Sequence, residues 1–130
     1  MRWLPQLGCA LSLTMIASTA LAQAVGASAE RGRALYESRC VACHSVDTHR
    51  VGPSHQGVLG RKAGSAPGYS YSKALTESKL IWTRANLAAW LAGPEAVIPG
   101  QGMNYSLGDM REREDVVAYL ATLGAASKKQ

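Results

Sequence analysis

Phenylalanine is missing altogether, and the only aromatic side chains are three tryptophans and five tyrosines in 130 residues. A chain this short of large rings fills an ordinary core poorly, so a disulfide, metal or cofactor is expected to complete it. Charge is also sparse. Asp, Glu, Lys and Arg make up 18% of the chain against 47% hydrophobic residues, which excludes a disordered, charge-swollen polymer. Acidic residues are the scarcer sign, 9 against 14 Lys and Arg, for a net charge of +5. Cysteine occurs three times, and the length excludes a second domain.

One of those cysteines falls in the N-terminal segment. Met1–Ala22 opens with a lone Arg2, runs apolar from about Leu7 to Leu21 and closes on Ala20-Leu21-Ala22, a small-x-small cleavage pattern. The apolar run is broken by Ser12, Thr14, Ser18 and Thr19 and is too short to span a bilayer comfortably, which argues against a retained membrane anchor. Cys9 precedes most of that run instead of following it, which argues against a lipidated N-terminus, and an uncleaved tether is the alternative to soluble export. A secretory signal peptide over 1–22 is expected, with Ala24 an alternative cleavage point, and a single domain over 23–130. That mature domain keeps 13 Lys and Arg against 9 acidic residues, about +4. Export places it in the periplasm, an oxidising compartment, with two cysteines, Cys40 and Cys43.

Helical spacing dominates the rest. Gly32, Leu35 and Tyr36 share one face from Ser28 to about Arg39, with Arg31, Arg33 and Glu37 on the other, and Ser28 caps the start. Residues 45–71 are rich in Gly, Ser, Pro and His and read as turns and loop, and a loop that long inside a small domain wraps something. A turn or two of helix is expected over Ser72–Ser78. Thr83 caps Arg84–Ala92, whose Leu87, Trp90 and Leu91 share a face before Gly93-Pro94 stops it. Val97–Gly108 reads as loop. Asp109 and Glu112 form a capping-box-like start for a last helix with the stripe Val116, Val117, Tyr119, Leu120 and Leu123, ending at Gly124. No segment reads as a strand, and Ser127–Gln130 reads as a basic tail. The expected class is all-α, about four to five helices with long loops.

The two mature cysteines stand in Cys40-Val41-Ala42-Cys43-His44, the attachment motif of a c-type haem. Thiols two residues apart can each add to one vinyl group on a haem edge, and the histidine that follows falls under the iron. A thioredoxin-like dithiol needs a strand before the motif, and none precedes Cys40. Cys40, Cys43, His49 and His55 have the composition of a zinc site, but only five residues separate Cys43 from His49, far fewer than a zinc-finger loop. A Cys40–Cys43 disulfide closes too small a ring to stabilise much. The candidates for a sixth ligand are Met103, Met110, His49 and His55. Ile98-Pro99-Gly100-Gln101-Gly102-Met103 puts Met103 on a turn-rich loop suited to hold a thioether over a haem face, whereas Met110 starts the last helix and reads as a packing or surface residue.

With these residues the chain resembles the class I cytochromes c, as a bacterial periplasmic member similar to the mitochondrial type. The likeness runs from about Gly32 to Leu123. It rests on Gly32 and Tyr36 before the haem motif, then Gly52-Pro53, Gly60-Arg61-Lys62-Ala63-Gly64, Gly68-Tyr69-Ser70-Tyr71, Ile81-Trp82, Ile98-Pro99-Gly100 before Met103, and Arg113-Glu114-Asp115-Val116-Val117-Ala118-Tyr119-Leu120. The resemblance implies that Cys40 and Cys43 hold one haem c and that His44 and Met103 ligate its iron. It implies that the Pro53 carbonyl accepts the other ring N–H of His44, and that Arg61, Tyr69 and Trp82 hydrogen-bond the propionates, which are costly to bury without donors. Gly32 would let the first helix approach the last near Tyr119.

Several positions depart from the family pattern. Gly102 stands where mitochondrial members carry a lysine, and Ser106-Leu107-Gly108-Asp109 lacks their lysine run, so the basic ring is thinned. His55 stands where many members have an apolar residue packed on the haem, and it reads either as a partner-facing residue or as an alternative ligand. Trp90 replaces a common tyrosine, so a hydroxyl donor to the Met103 sulfur is expected to be missing. The short loop between His44 and Gly52 is a bacterial feature.

The function implied is one-electron transfer between membrane or periplasmic redox complexes, by a monomer that is not an enzyme, binds no nucleic acid and is not inserted in a membrane after cleavage. Docking would use a small transient interface, steered by Arg39, Lys62 and Lys73. A haem sensor or peroxidase requires an open sixth position instead, and a dedicated subunit of one dehydrogenase requires a larger stable partner.

Overall fold

The computed structural model describes residues 26–124, so the expected signal peptide over 1–22 and the tail Ser127–Gln130 lie outside the described residues. The helices are α1 (Ala29–Arg39), α2 (Lys73–Glu77), α3 (Arg84–Ala92), α4 (Pro94–Val97) and α5 (Met110–Leu120). No strand occurs among the described residues; a single antiparallel bridge joins Lys62 and Ile81.

Local chemistry starts the helices where the side chains suggest. The Ser28, Thr83 and Asp109 side chains accept from the orphan N–H groups of Arg31, Asn86, and Arg111 with Glu112, respectively. Gly93-Pro94, expected to end the Trp90 helix and lead into loop, ends α3 and at once starts α4, because a proline at the first helical position has no N–H to waste. The last helix stops at Leu120, short of Gly124. Its final residues tighten into i→i−3 bonds, Thr122 N–H to Tyr119 O at 2.8 Å and Leu123 N–H to Leu120 O at 3.1 Å.

The α1–α5 crossing frames the molecule. A Cβ on Gly32 would fall 1.8 Å from the Asp115 carbonyl oxygen and 3.0 Å from Tyr119 Cβ, so only glycine permits this approach. Arg31, expected on the solvent face, reaches across instead. Its Nε and Nη2 donate to the Asp115 carboxylate at 2.7 and 2.8 Å, while the Ser28 N–H donates to the same carboxylate at 2.6 Å. Val116, Val117 and Leu120 on α5 are buried with Leu87, Trp90 and Leu91 on α3. Even so, no large side chain among the described residues is fully enclosed. The aromatic rings line the wall of a cavity rather than fill it.

Candidate haem site

The cavity measures about 610 Å³, within the usual range for a cofactor pocket, and its lining is mostly apolar. It is bounded by the end of α1, the loop through Gly52–Ser72, Trp82, α3, the 101–105 loop and α5.

After α1 the backbone makes one more turn. The Cys43 and His44 N–H groups both donate to the Cys40 carbonyl, at 3.1 and 2.9 Å, and this turn lines the cavity with both thiols and the imidazole. Both cysteines are free, Cys40 half-buried and Cys43 exposed. Burial pushes the Cys40 thiol up to about 11, with Cys43 adding and Arg39 opposing, so it is protonated at neutral pH. His44 Nδ1–H donates to the Pro53 carbonyl at 2.8 Å. The proton is thereby fixed on Nδ1 and the Nε2 lone pair is left for a metal. Burial lowers the His44 pKa, against the opposing pull of the Pro53 bond, and keeps the ring neutral. Gly52 is required here, since a Cβ would lie 2.2 Å from His44 Cε1.

His55 stacks on His44 with ring centroids 4.1 Å apart and planes 22° apart, and its Nδ1 shares a 2.9 Å hydrogen bond with the Tyr36 hydroxyl. Burial, then the nearby His44 and Arg61, push it down to about 3, so it is neutral. It therefore faces inward against the His44 imidazole, and neither the partner-facing reading nor that of an alternative ligand fits this placement. His49 is committed elsewhere. Its Nδ1 accepts from the Ser54 N–H at 3.0 Å and its Nε2–H donates to the Pro67 carbonyl at 2.8 Å. No group of three or more His, Cys, Asp or Glu among the described residues is arranged to hold a metal ion, so the zinc alternative has no site. Met110 is 63% exposed and does not line the cavity.

Met103 does line it. Trp90 Nε1–H donates to Met103 Sδ at 3.2 Å, so the sulfur keeps a donor although the family's hydroxyl is absent. The indole can only donate, which leaves the second sulfur lone pair uncontested. Gly100 and Gly102, at φ 83° and 107°, bend the backbone on either side of Gln101. Gln101, unremarked from sequence, is buried, and its carboxamide bonds both the N–H and the carbonyl of Met103. A lone amide between two glycines beside the methionine was the available signal.

Arg61, Tyr69 and Trp82 all border the cavity. Backbone pairing of Trp82 N–H to the Arg61 carbonyl at 2.9 Å sets the first and last of these side by side. The Arg61 guanidinium donates to the Gln56 and Ser54 carbonyls, both at 3.0 Å, and retains further N–H groups. Trp82 is buried, and its indole N–H has no hydrogen-bond partner among the described residues, so it remains available to a ligand in the cavity. The Tyr69 hydroxyl donates to the Val51 carbonyl at 2.5 Å, an acceptor that competes with the propionate expected from the resemblance. Two thiols on one turn, an imidazole with a free Nε2, a soft thioether and an indole from Trp82 against apolar walls fit a haem.

These features define a small all-α haem protein. The family model for cytochrome c matches residues 29–124. Cytochrome c2 of Rhodopseudomonas palustris is 41% identical over 112 residues, covering 73% of this chain and 97% of its own length. Cytochrome c of Kluyveromyces lactis is 36% identical over 97 residues, covering 72% and 88%. Among solved structures, cytochrome cH from Methylobacterium extorquens superposes with a TM-score of 0.70 at 40% identity, covering 73% of this chain and 98% of its own. The chain belongs to the cytochrome c family, and its class is that of haem proteins of electron transfer. No helix among the described residues is long and apolar enough to cross a membrane.

Proposed function

We propose that residues 1–22 direct export and are removed, and that the mature domain, 23–130, is a periplasmic carrier of one electron between redox complexes. In this reading Cys40 and Cys43 hold a single haem c through two thioethers, and His44 and Met103 are the axial ligands. The haem, when bound, supplies an iron that alternates between ferric and ferrous states.

The observation that carries the reading is the presence, in one cavity, of the His44 imidazole with Nδ1–H held by Pro53 and the Met103 thioether held by Trp90. The Pro53 bond raises the basicity of His44 and fixes its ring. A thioether is a soft donor and favours ferrous iron, which raises the potential. With His44 and Met103 both holding the haem iron, no open position would be left for a substrate, which supports a carrier rather than an enzyme. Arg61 and Trp82 supply propionate donors, and Tyr69 joins them by sharing or releasing Val51. Docking of a monomer against its redox partners is brief and small in area.

The test is made on protein secreted from a cell with the c-type haem maturation system. Mass spectrometry is expected to give one haem per chain, starting at Gln23 and resistant to extraction, and the ferric spectrum a weak red iron–sulfur band. An extractable haem, or a ferric form without that band, contradicts the reading.

A further inference from the structure

Gln101 bonds the backbone of Met103, and Glu95 in turn bonds Gln101 and the Gly100 N–H. Gln101 is 5% exposed, and every polar atom of its side chain is engaged. Its Oε1 accepts from the Met103 N–H, and its Nε2 donates to the Met103 carbonyl at 3.1 Å. The carboxamide thus pairs with both polar groups of one residue, as a neighbouring strand would. The remaining Nε2–H points to Glu95 Oε2 at 3.4 Å, and Glu95 Oε1 accepts from the Gly100 N–H at 2.8 Å. Glu95 sits on the one-turn helix α4, which packs through buried Pro94 and Ile98, so the chain of bonds runs from Met103 back to a fixed element.

This arrangement has consequences for a loop that otherwise lacks restraint. Gly100 and Gly102 both hold positive φ, and glycine gives the unfolded or opened loop more freedom than any other residue. Neither residue flanking Met103, Gly102 or Asn104, is buried. The backbone carrying the thioether is therefore restrained largely by one side-chain amide.

We infer that the Gln101 carboxamide, braced by Glu95, is a positioning residue that sets how often Met103 leaves the iron, and hence how well the protein excludes small ligands from the sixth position. This rests on Met103 being the ligand. The division of labour is specific: Trp90 acts on the sulfur and thus on the potential, whereas Gln101 acts on the backbone and thus on the rate of loop opening. Asn at position 101 is one methylene too short to reach both Met103 groups, and Ala reaches neither.

The experiment measures imidazole binding to ferric holoprotein by stopped flow. At saturating imidazole the observed rate becomes that of Met103 dissociation. Gln101→Asn and Gln101→Ala are expected to raise it about ten- to a hundredfold, the size of effect that two lost hydrogen bonds carry, with the red iron–sulfur band retained before mixing. Glu95→Ala, at an exposed position, is expected to raise it about threefold and carries the test if the Gln101 variants fail to load haem. Low concentrations of denaturant should leave the accelerated rate unchanged, because local opening exposes little surface whereas global unfolding exposes much. A limiting rate within twofold of the parent in the variants that load, with the band present, overturns the inference and leaves the ligation reading standing. So does an acceleration that grows with denaturant as global unfolding does. A parent protein without the band overturns both.

Discussion

The indole nitrogen of Trp90 donates to the sulfur of Met103 at 3.2 Å across 13 residues of chain. A donor on a ligating thioether draws electron density from the sulfur and so favours the ferrous state. Trp90→Phe is expected to lower the reduction potential by roughly 20–60 mV, the one-electron equivalent of a hydrogen bond worth about 0.5–1.5 kcal/mol. Protein-film voltammetry measures it, and an unchanged or higher potential means the bond does not act on the iron.

Replacing Cys40 and Cys43 by Ala together is expected to abolish covalent haem and leave a largely unfolded polypeptide, because the rings of Tyr36, Trp82 and Trp90 line a cavity rather than pack a closed core. Far-ultraviolet circular dichroism of the purified variant decides it. Full helicity at normal yield would show that the core stands without the cofactor.

Asp115 ties the start of α1 to α5, and the Arg31 guanidinium, followed by the Ser28 N–H, holds its carboxyl below the ordinary value of 3.8. A depressed folded-state pKa stabilises the fold fully above the unfolded-state value, and that stabilisation is lost as pH falls through the folded-state value. Asp115→Asn is expected to cost about 1–2 kcal/mol at pH 7, the low end for a charged hydrogen bond, since Arg31 is 47% exposed and solvent screens the pair. Denaturant midpoints at pH 7 and pH 3 should show the gap between variant and parent narrowing in acid. A gap constant across that range contradicts the ion-pair account.

What was legible in the sequence was what neighbouring residues decide. The caps at Ser28, Thr83 and Asp109 act within three residues of their own positions, the Cys40–His44 motif is encoded by spacing, and the Gly32 approach comes with the family resemblance, where the absence of a side chain makes it possible. What was not legible depends on distant partners or on packing. Arg31 leaves the solvent face because Asp115, 84 residues away, is brought beside it. The restart of the chain as α4 needs Pro94 to find a buried place, which Gly-Pro as a local stop signal does not reveal. His55 reads as polar and available until His44 and Tyr36 close around it. Trp90 reads as the loss of a hydroxyl until its indole N–H is seen against the Met103 sulfur. Tyr69 borders the cavity as its place in the sequence suggests, but the acceptor its hydroxyl finds in Val51, 18 residues away, is not encoded nearby.

Of the three cations expected to steer docking, Lys73 is paired with Glu77 and Arg39 lies 3.8 Å from Glu112, whereas Lys62 makes no ion pair among the described residues. Association with an acidic redox partner is therefore expected to slow with rising salt, but on a shallow slope. Lys62→Glu should slow the low-salt rate more than Lys73→Glu, with spectrum and potential unchanged. Stopped-flow electron transfer across ionic strength measures this, and a rate flat or rising with salt contradicts steering by these cations.

The central claim is that Met103, and not another side chain, completes the coordination of the iron opposite His44. The most direct test is the ferric spectrum of three holoproteins: the parent, Met103→Ala and Met110→Ala. The parent and Met110→Ala should both show the weak red iron–sulfur band, while Met103→Ala should lose it, bind small ligands and fall in potential. A band that survives in Met103→Ala, or disappears in Met110→Ala, contradicts the account.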